Sequence, residues 1–158
     1  MKELVTLISA TSLALLANVA EADTPVEIMA EFYETADERP FDPTKFAPFF
    51  ADTFKDHDPQ PTGGLKSGED VATFFSGLAA GSTDSKHVID YIVPVGDDKA
   101  LVRWQFVGTH DGNMFGFPAT GNAIDISGME LWEFKDGKIS GLWHVEELAT
   151  MFQQLKAQ

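Results

Sequence analysis

Six protonatable side chains, His110, Glu130, Glu133, His144, Glu146 and Glu147, fall on or beside one strongly aromatic stretch, residues 108–147. A carboxylate walled by aromatic rings loses hydration, so its pKa rises and it becomes a competent base toward a carbon acid at neutral pH. A neighbouring donor can then hold the oxygen on which charge collects. The chemistry these residue types suggest is removal of a proton next to a carbonyl, on a small or medium apolar molecule.

Each candidate also has a plainer use. His57 lies between Asp56 and Asp58, which favour its charged form and would let it donate a proton; paired Asp and Pro make a turn equally well. His110 continues the alternation Ala100, Val102, Trp104, Phe106, Gly108, which puts it at the rim of any cavity that face lines, or makes it a strand-end histidine bonded to the loop. Glu130 and Glu133 are an odd number of residues apart and face opposite sides of a strand. Glu133 shares its side with Met129 and Leu131 and is taken as the second carboxylate; a solvated face of alternating charge is the competing explanation. Trp104, Phe106, Met129, Leu131, Trp143 and Phe50 are read as wall for an apolar substrate, or simply as core. His144 points to the side opposite Trp143. Glu146 and Glu147 also suit the start of a helix, where carboxylates complement the dipole.

The elements that must position these groups follow from periodicity. Thr24-Pro25 with Glu27 starts a first helix that ends near Asp37, with Val26, Met29, Ala30, Phe32 and Tyr33 as its apolar face. Asp42 caps a second short helix carrying Phe46, Phe49 and Phe50 inward, and 56–64 reads as loop. A third helix opens at Ser67 with Val71, Phe74, Phe75 and Leu78 on one face, and closes at Gly81-Ser82. Strands are expected over 88–95, 100–109, 124–134 and 138–145, the last pair joined by the hairpin signal Asp136-Gly137, and a final helix over 146–156. Helices first and antiparallel strands afterwards imply an α+β fold with helices on one face of a curved sheet.

The segments GTHDGNMFGFPATGN, FKDGKI and LWHVEELATMFQQL, together with FFADTFKDHDP, resemble the SnoaL-like polyketide cyclase family, within the fold group of nuclear transport factor two and ketosteroid isomerase. The resemblance runs from near Glu27 to Leu155. It implies a cone-shaped fold with a cavity between the sheet and the helices. It also implies a carboxylate base four residues after Trp143, where Glu147 replaces the family's Asp, with His57 or His110 as donor. The longer side chain would move the carboxylate by about 1 Å, a displacement that can change rates on the order of 100-fold. No cofactor is implied. Pairing of two copies through their sheets is a further expectation.

Composition sets the remaining bounds. A chain of 158 residues with 44% hydrophobic content makes one domain with a core and room for a pocket. A net charge of −14 argues against nucleic acid as a partner. The absence of cysteine removes disulfide and thiol chemistry. No HExxH, GxSxG, GxxxxGK or GxGxxG pattern occurs, and four scattered histidines are not a metal motif, so no metal is expected from the motifs, with a site assembled in three dimensions from His57, His110 and a carboxylate left open. Residues 1–22 read as a secretory signal, with Lys2 before an apolar run and cleavage after Ala22, leaving a domain of 23–158 that is secreted or periplasmic. That run is too short and too rich in Ser and Thr for a membrane span. Export makes a non-catalytic periplasmic binder of a small hydrophobic ligand the alternative to an enzyme.

Overall fold

The computed structural model describes residues 23–59 and 64–156; the segment read as a secretory signal lies outside the described residues. The first helix, α1 (Pro25–Asp37), begins as its sequence dictates: Thr24 and Glu27 form a reciprocal capping box, with Pro25 at the first helical position. Two short 3₁₀ turns, Pro43–Lys45 and Ala47–Phe49, lead into β1 (Phe50–Asp56). Then come α2 (Gly68–Gly81), β2 (Lys86–Val95), β3 (Lys99–Thr109), β4 (Ala123–Lys135), β5 (Lys138–Glu146) and α3 (Leu148–Gln154).

The sheet has five strands in the order β1-β5-β4-β3-β2, all antiparallel except β1, which runs parallel to β5. β1 corrects the expectation of a second short helix followed directly by loop. Its sequence, FADTFKD, has buried positions only at Phe50 and Phe54, too sparse a pattern to announce a strand. The expected Asp136-Gly137 hairpin is present, with φ of 52° and 73° at the two turn residues, the left-handed pair that suits a two-residue connection.

Alternation divides the sheet into two faces. On β4 the even-numbered Ile124, Ile126, Trp132 and Phe134 are buried against the helices, while the odd-numbered Met129 faces outward. The buried face of β3 carries Ala100, Val102, Trp104 and Phe106, as its sequence predicts. On β5, Ile139, Leu142 and His144 are buried, and Val145 is 68% exposed. Gly128 fits this inner face because Trp104 lies across it: a Cβ there would stand 2.3 Å from the indole.

The space under α1 is filled by rings. Phe32, fully buried, has ring neighbours Phe46, Phe49, Phe50, Phe75 and Trp132 at centroid distances of 5.2–6.1 Å. Each such pair adds about 0.5–1.5 kcal/mol beyond area burial. Phe50 therefore belongs to the core packing rather than to an open wall, contrary to its expected role in holding substrate.

Candidate functional site

One polar cluster interrupts this inner apolar face. Counting along β4 places Glu130 at the even parity of Ile126 and Trp132, so its carboxylate points inward. There Oε2 accepts from the Tyr33 hydroxyl of α1 and, at 3.0 Å, from the Trp132 indole N–H. Burial pushes the Glu130 carboxyl above its ordinary pKa, opposed by the Tyr33 hydrogen bond and reinforced by the charge of Glu146. The residue as a whole is half-buried, while its carboxylate is fully desolvated. Tyr33 is pushed well above its ordinary value by the same burial, then by the negative charge of Glu130.

His144 lies opposite Glu130 in the β4–β5 register. Its Nδ1 hydrogen-bonds Glu146 Oε1 and its Nε2 is 3.1 Å from Asp56 Oδ1. Burial pushes the imidazole pKa down, but the hydrogen bond and charge of Glu146 and the charge of Asp56 outweigh it and raise the value to about 9. His144 is therefore an imidazolium at neutral pH, clamped between two carboxylates. Both ring nitrogens are engaged, so it is a fixed positive charge rather than a free donor. Two buried polar atoms of the cluster have no hydrogen-bond partner among the described residues: the Trp104 indole Nε1 and Glu146 Oε2.

The expected site residues separate. Trp104 and Phe106 are on the inner face, as expected. Glu147 does not lie under aromatic rings: it is exposed, Ser127 donates to its Oε2 from both N–H and Oγ at 2.8 Å, and these bonds hold its pKa below the ordinary carboxylate value. The desolvation expected of it is absent, because the chain turns outward at the start of α3. Glu133 faces outward too, 3.2 Å from the Lys99 ammonium, which corrects its placement as the second inner carboxylate. Met129, Leu131 and Trp143 share this outer side by register and do not wall the interior.

His57 stacks flat on Trp143 with ring centroids 3.9 Å apart, on that same outer side. Its two Asp neighbours turn the other way: Asp56 receives His144 Nε2, and Asp58 Oδ2 accepts from the His144 backbone N–H at 3.3 Å. The carboxylates expected to charge His57 serve His144 instead. His110 is fully buried, with Nδ1 2.9 Å from Thr120 Oγ1 and Nε2 3.3 Å from the Phe117 carbonyl oxygen, so it organises the 110–122 loop. Both nitrogens are used there.

Sequence reasoning passed over Tyr33 and Asp56 and set Glu130 aside. The signal for Glu130 was present: it is the one ionisable residue among Ile124, Ile126, Gly128, Glu130, Trp132 and Phe134. Two surface recesses lie away from this cluster, one of about 670 Å³ beside Ile28, Glu31, Lys45 and Phe49, the other of about 390 Å³ beside Arg39, Phe41, Ser76 and Thr83. Among the described residues no group of three or more His, Asp or Glu is placed to hold a metal ion. No described helix is long and apolar enough to cross a membrane.

The SnoaL-like polyketide cyclase family matches residues 26–155. The chain belongs to that family. No curated protein matches it. Among solved structures, TsrD from Streptomyces laurentii superposes with a TM-score of 0.70 at 22% identity, over 87% of this chain and 100% of that one. IdmH from Streptomyces antibioticus gives 0.67 at 22%, over 84% and 99%. A SnoaL-like polyketide cyclase from Agrobacterium tumefaciens str. C58 gives 0.65 at 15%, over 85% and 99%. Likeness at these identities shows the fold, while the chemistry rests on the residues of this chain.

Proposed function

We propose that this SnoaL-like protein is a cofactor-independent cyclase or isomerase that moves a proton on the carbon beside a carbonyl of a small apolar molecule. Glu130 is the base in this reading, in place of Glu147. The observation that carries it is the placement of the Glu130 carboxylate: an inward-facing acid on an otherwise apolar strand face, held by the Tyr33 hydroxyl and the Trp132 indole N–H, with its pKa raised by burial. A carboxylate whose pKa is raised by burial is a stronger base toward carbon than an exposed one. The Trp104 N–H, which lies close enough to lower the Glu130 pKa but meets no hydrogen-bond partner at bonding geometry among the described residues, is the donor for the substrate oxygen, and the His144 imidazolium offsets negative charge accumulating on the inner face. Tyr33 holds Glu130 in place.

The family's name points toward polyketide-like carbonyl compounds as the substrate class. Residues 1–22 support export, and an exported protein would meet an extracellular carbonyl compound rather than a biosynthetic intermediate. Fractionation with mass measurement of the mature amino terminus tests export, a start at Asp23 being the expected result. The outer sheet face, with Tyr91, Val93, Val95, Met129 and Val145 exposed, supports a homodimer, which light scattering would detect.

The decisive experiment is deuterium exchange at carbon, followed by NMR, on a panel of aryl ketones and 1,3-diketones. Catalysed exchange abolished in Glu130→Gln is the expected result. Binding of the same compounds with no exchange in the unmodified protein would turn the reading into the non-catalytic binder.

A further inference from the structure

The end of the molecule formed by α2, the 110–122 loop and α3 is free of charge, in a chain whose net charge is −14. Residues 71–83, 112–124 and 148–155 contain no Asp, Glu, Lys, Arg or His. The fold brings the three segments together. The Gly112 N–H donates to the Gly81 carbonyl at 3.1 Å, and the Phe115 ring stacks on Phe74 at 5.3 Å. That ring lies over Gly77, where a Cβ would stand 2.4 Å from it, and Phe117 meets Phe152 of α3 at 5.9 Å. Ala80, Phe115, Pro118, Ala119, Ala149 and Phe152 are exposed there. Charge resumes at the borders, where Asp84, Asp111 and Asp125 outnumber Lys156.

The polar groups of this end are turned inward. Phe115 and Gly116, with φ of 51° and 89°, form the tip of a turn closed by reciprocal Met114–Phe117 backbone bonds of 3.0 and 2.9 Å. Asn113 Oδ1 accepts from the Gly116 N–H, and the Thr120 and Gly121 N–H groups both donate to the His110 carbonyl. Asn122 Nδ2 donates to the Gln154 and Lys156 carbonyls, and Gln154 bonds the Asp125 backbone through both ends of its amide. A protein partner is recognised through charge and about one hydrogen bond per 100–200 Å² of contact, which groups already bonded within the chain do not supply. A hydrocarbon phase asks the reverse: polar groups satisfied internally and apolar rings outside. A second copy is better served by the outer sheet face, where Lys99 and Arg103 stand among apolar side chains.

We propose that this end docks on a zwitterionic phospholipid surface, with Phe115 and Phe152 entering the boundary between headgroups and acyl chains. The border carboxylates disfavour an anionic layer, so the headgroup is of the phosphatidylcholine or phosphatidylethanolamine type. Two part-exposed rings make a shallow, reversible contact. This surface is separate from Glu130 and does not depend on its role.

The test is NMR of the full chain with phosphatidylcholine bicelles that carry a spin-labelled lipid. The amide signals of Phe115, Ala119 and Phe152 should broaden, and those of Tyr91 and Val145 on the outer sheet face should not. Site resolution separates this contact from any made by the apolar run within residues 1–22. Adding phosphatidylserine to the bicelles should weaken the broadening, and salt should restore it. Phe115→Asn suits the left-handed turn and Phe152→Gln suits a helix. Each should raise the lipid concentration for half-maximal broadening about fivefold, and the two together about 20-fold or more. If these variants lose their melting transition, Ala119→Asp and Ala149→Glu carry the test with the same expected loss, because they add charge at exposed positions without removing a ring. Absence of broadening at Phe115 and Phe152, equal broadening in the folded variants, or broadening strongest with phosphatidylserine overturns the assignment. Light scattering that shows the chain alone associating, and ceasing to do so in Phe115→Asn and Phe152→Gln, gives this end to a second copy and overturns it as well.

Discussion

The two faces of one sheet carry similar chemical inventories and make opposite use of them. On the inner face a carboxylate and a histidine, Glu130 and His144, lie in register, desolvated and joined to Tyr33, Asp56 and Glu146. On the outer face Glu133 and His57 stand near the same strands, but the first pairs with Lys99 and the second stacks on Trp143. What separates them is a single step of alternation, since a strand sends successive side chains to opposite sides. Burial then acts on the inner pair alone: desolvation raises the Glu130 carboxyl, and Glu146 and Asp56 raise His144 against its own desolvation.

The comparison breaks most readily in activity. Glu130→Gln should abolish ketone exchange, a loss on the order of 100- to 10,000-fold, while Glu133→Gln and Glu147→Gln stay within about threefold; NMR exchange rates decide it. Equal losses in Glu130→Gln and Glu147→Gln would erase the distinction between the faces.

Stability should show the same asymmetry on a smaller scale. His144→Ala leaves Asp56 and Glu146 as buried carboxylates without their cation, a change that costs about 3–5 kcal/mol. His57→Ala loses one ring stack, about 1 kcal/mol. Urea midpoints of the two variants measure the difference.

The pH dependence of folding sharpens it further. The folded His144 pKa, about 9, lies above its ordinary 6.5, so its stabilising contribution is complete below about pH 6.5 and is lost as pH rises through 9. The loss is on the order of 3 kcal/mol in unfolding free energy, and it should vanish in His144→Gln. Gly128→Ala should cost about 1–3 kcal/mol by forcing Trp104 from its place, measured as a lowered Tm. The smallest effect belongs to the outer face: Val145→Glu should leave monomer stability within about 0.5 kcal/mol while shifting any dimer to monomer by light scattering.

Much of this architecture is legible in the sequence. Thr24-Pro25 with Glu27, the Ser67 cap and Asp136-Gly137 are local devices whose geometry is fixed by a few adjacent residues, and the three appear where they are read. β1 is not legible, because an edge strand with two buried positions is stabilised by its parallel partner β5, 86–89 residues away in the chain, and by Phe32 rather than by its own pattern. The site divides in the same way. Alternation separates Trp143 from His144 and Glu130 from Glu133, but which member of each pair faces inward is a tertiary fact. It is decided by the apolar even-numbered positions of β4 together with the helices laid over them. The triplet Asp56-His57-Asp58 is the sharpest instance: the histidine draws attention, yet Asp56 carries the charge that acts on the His144 ring, while Asp58 accepts from the His144 backbone N–H.

The most direct measurement is a site-resolved ¹³C NMR titration of the glutamate carboxyl groups. Glu130 should titrate above the ordinary 4.5 and Glu147 below it, Ser127 holding the second and burial raising the first. A Glu130 that titrates at or below Glu147 would contradict the account.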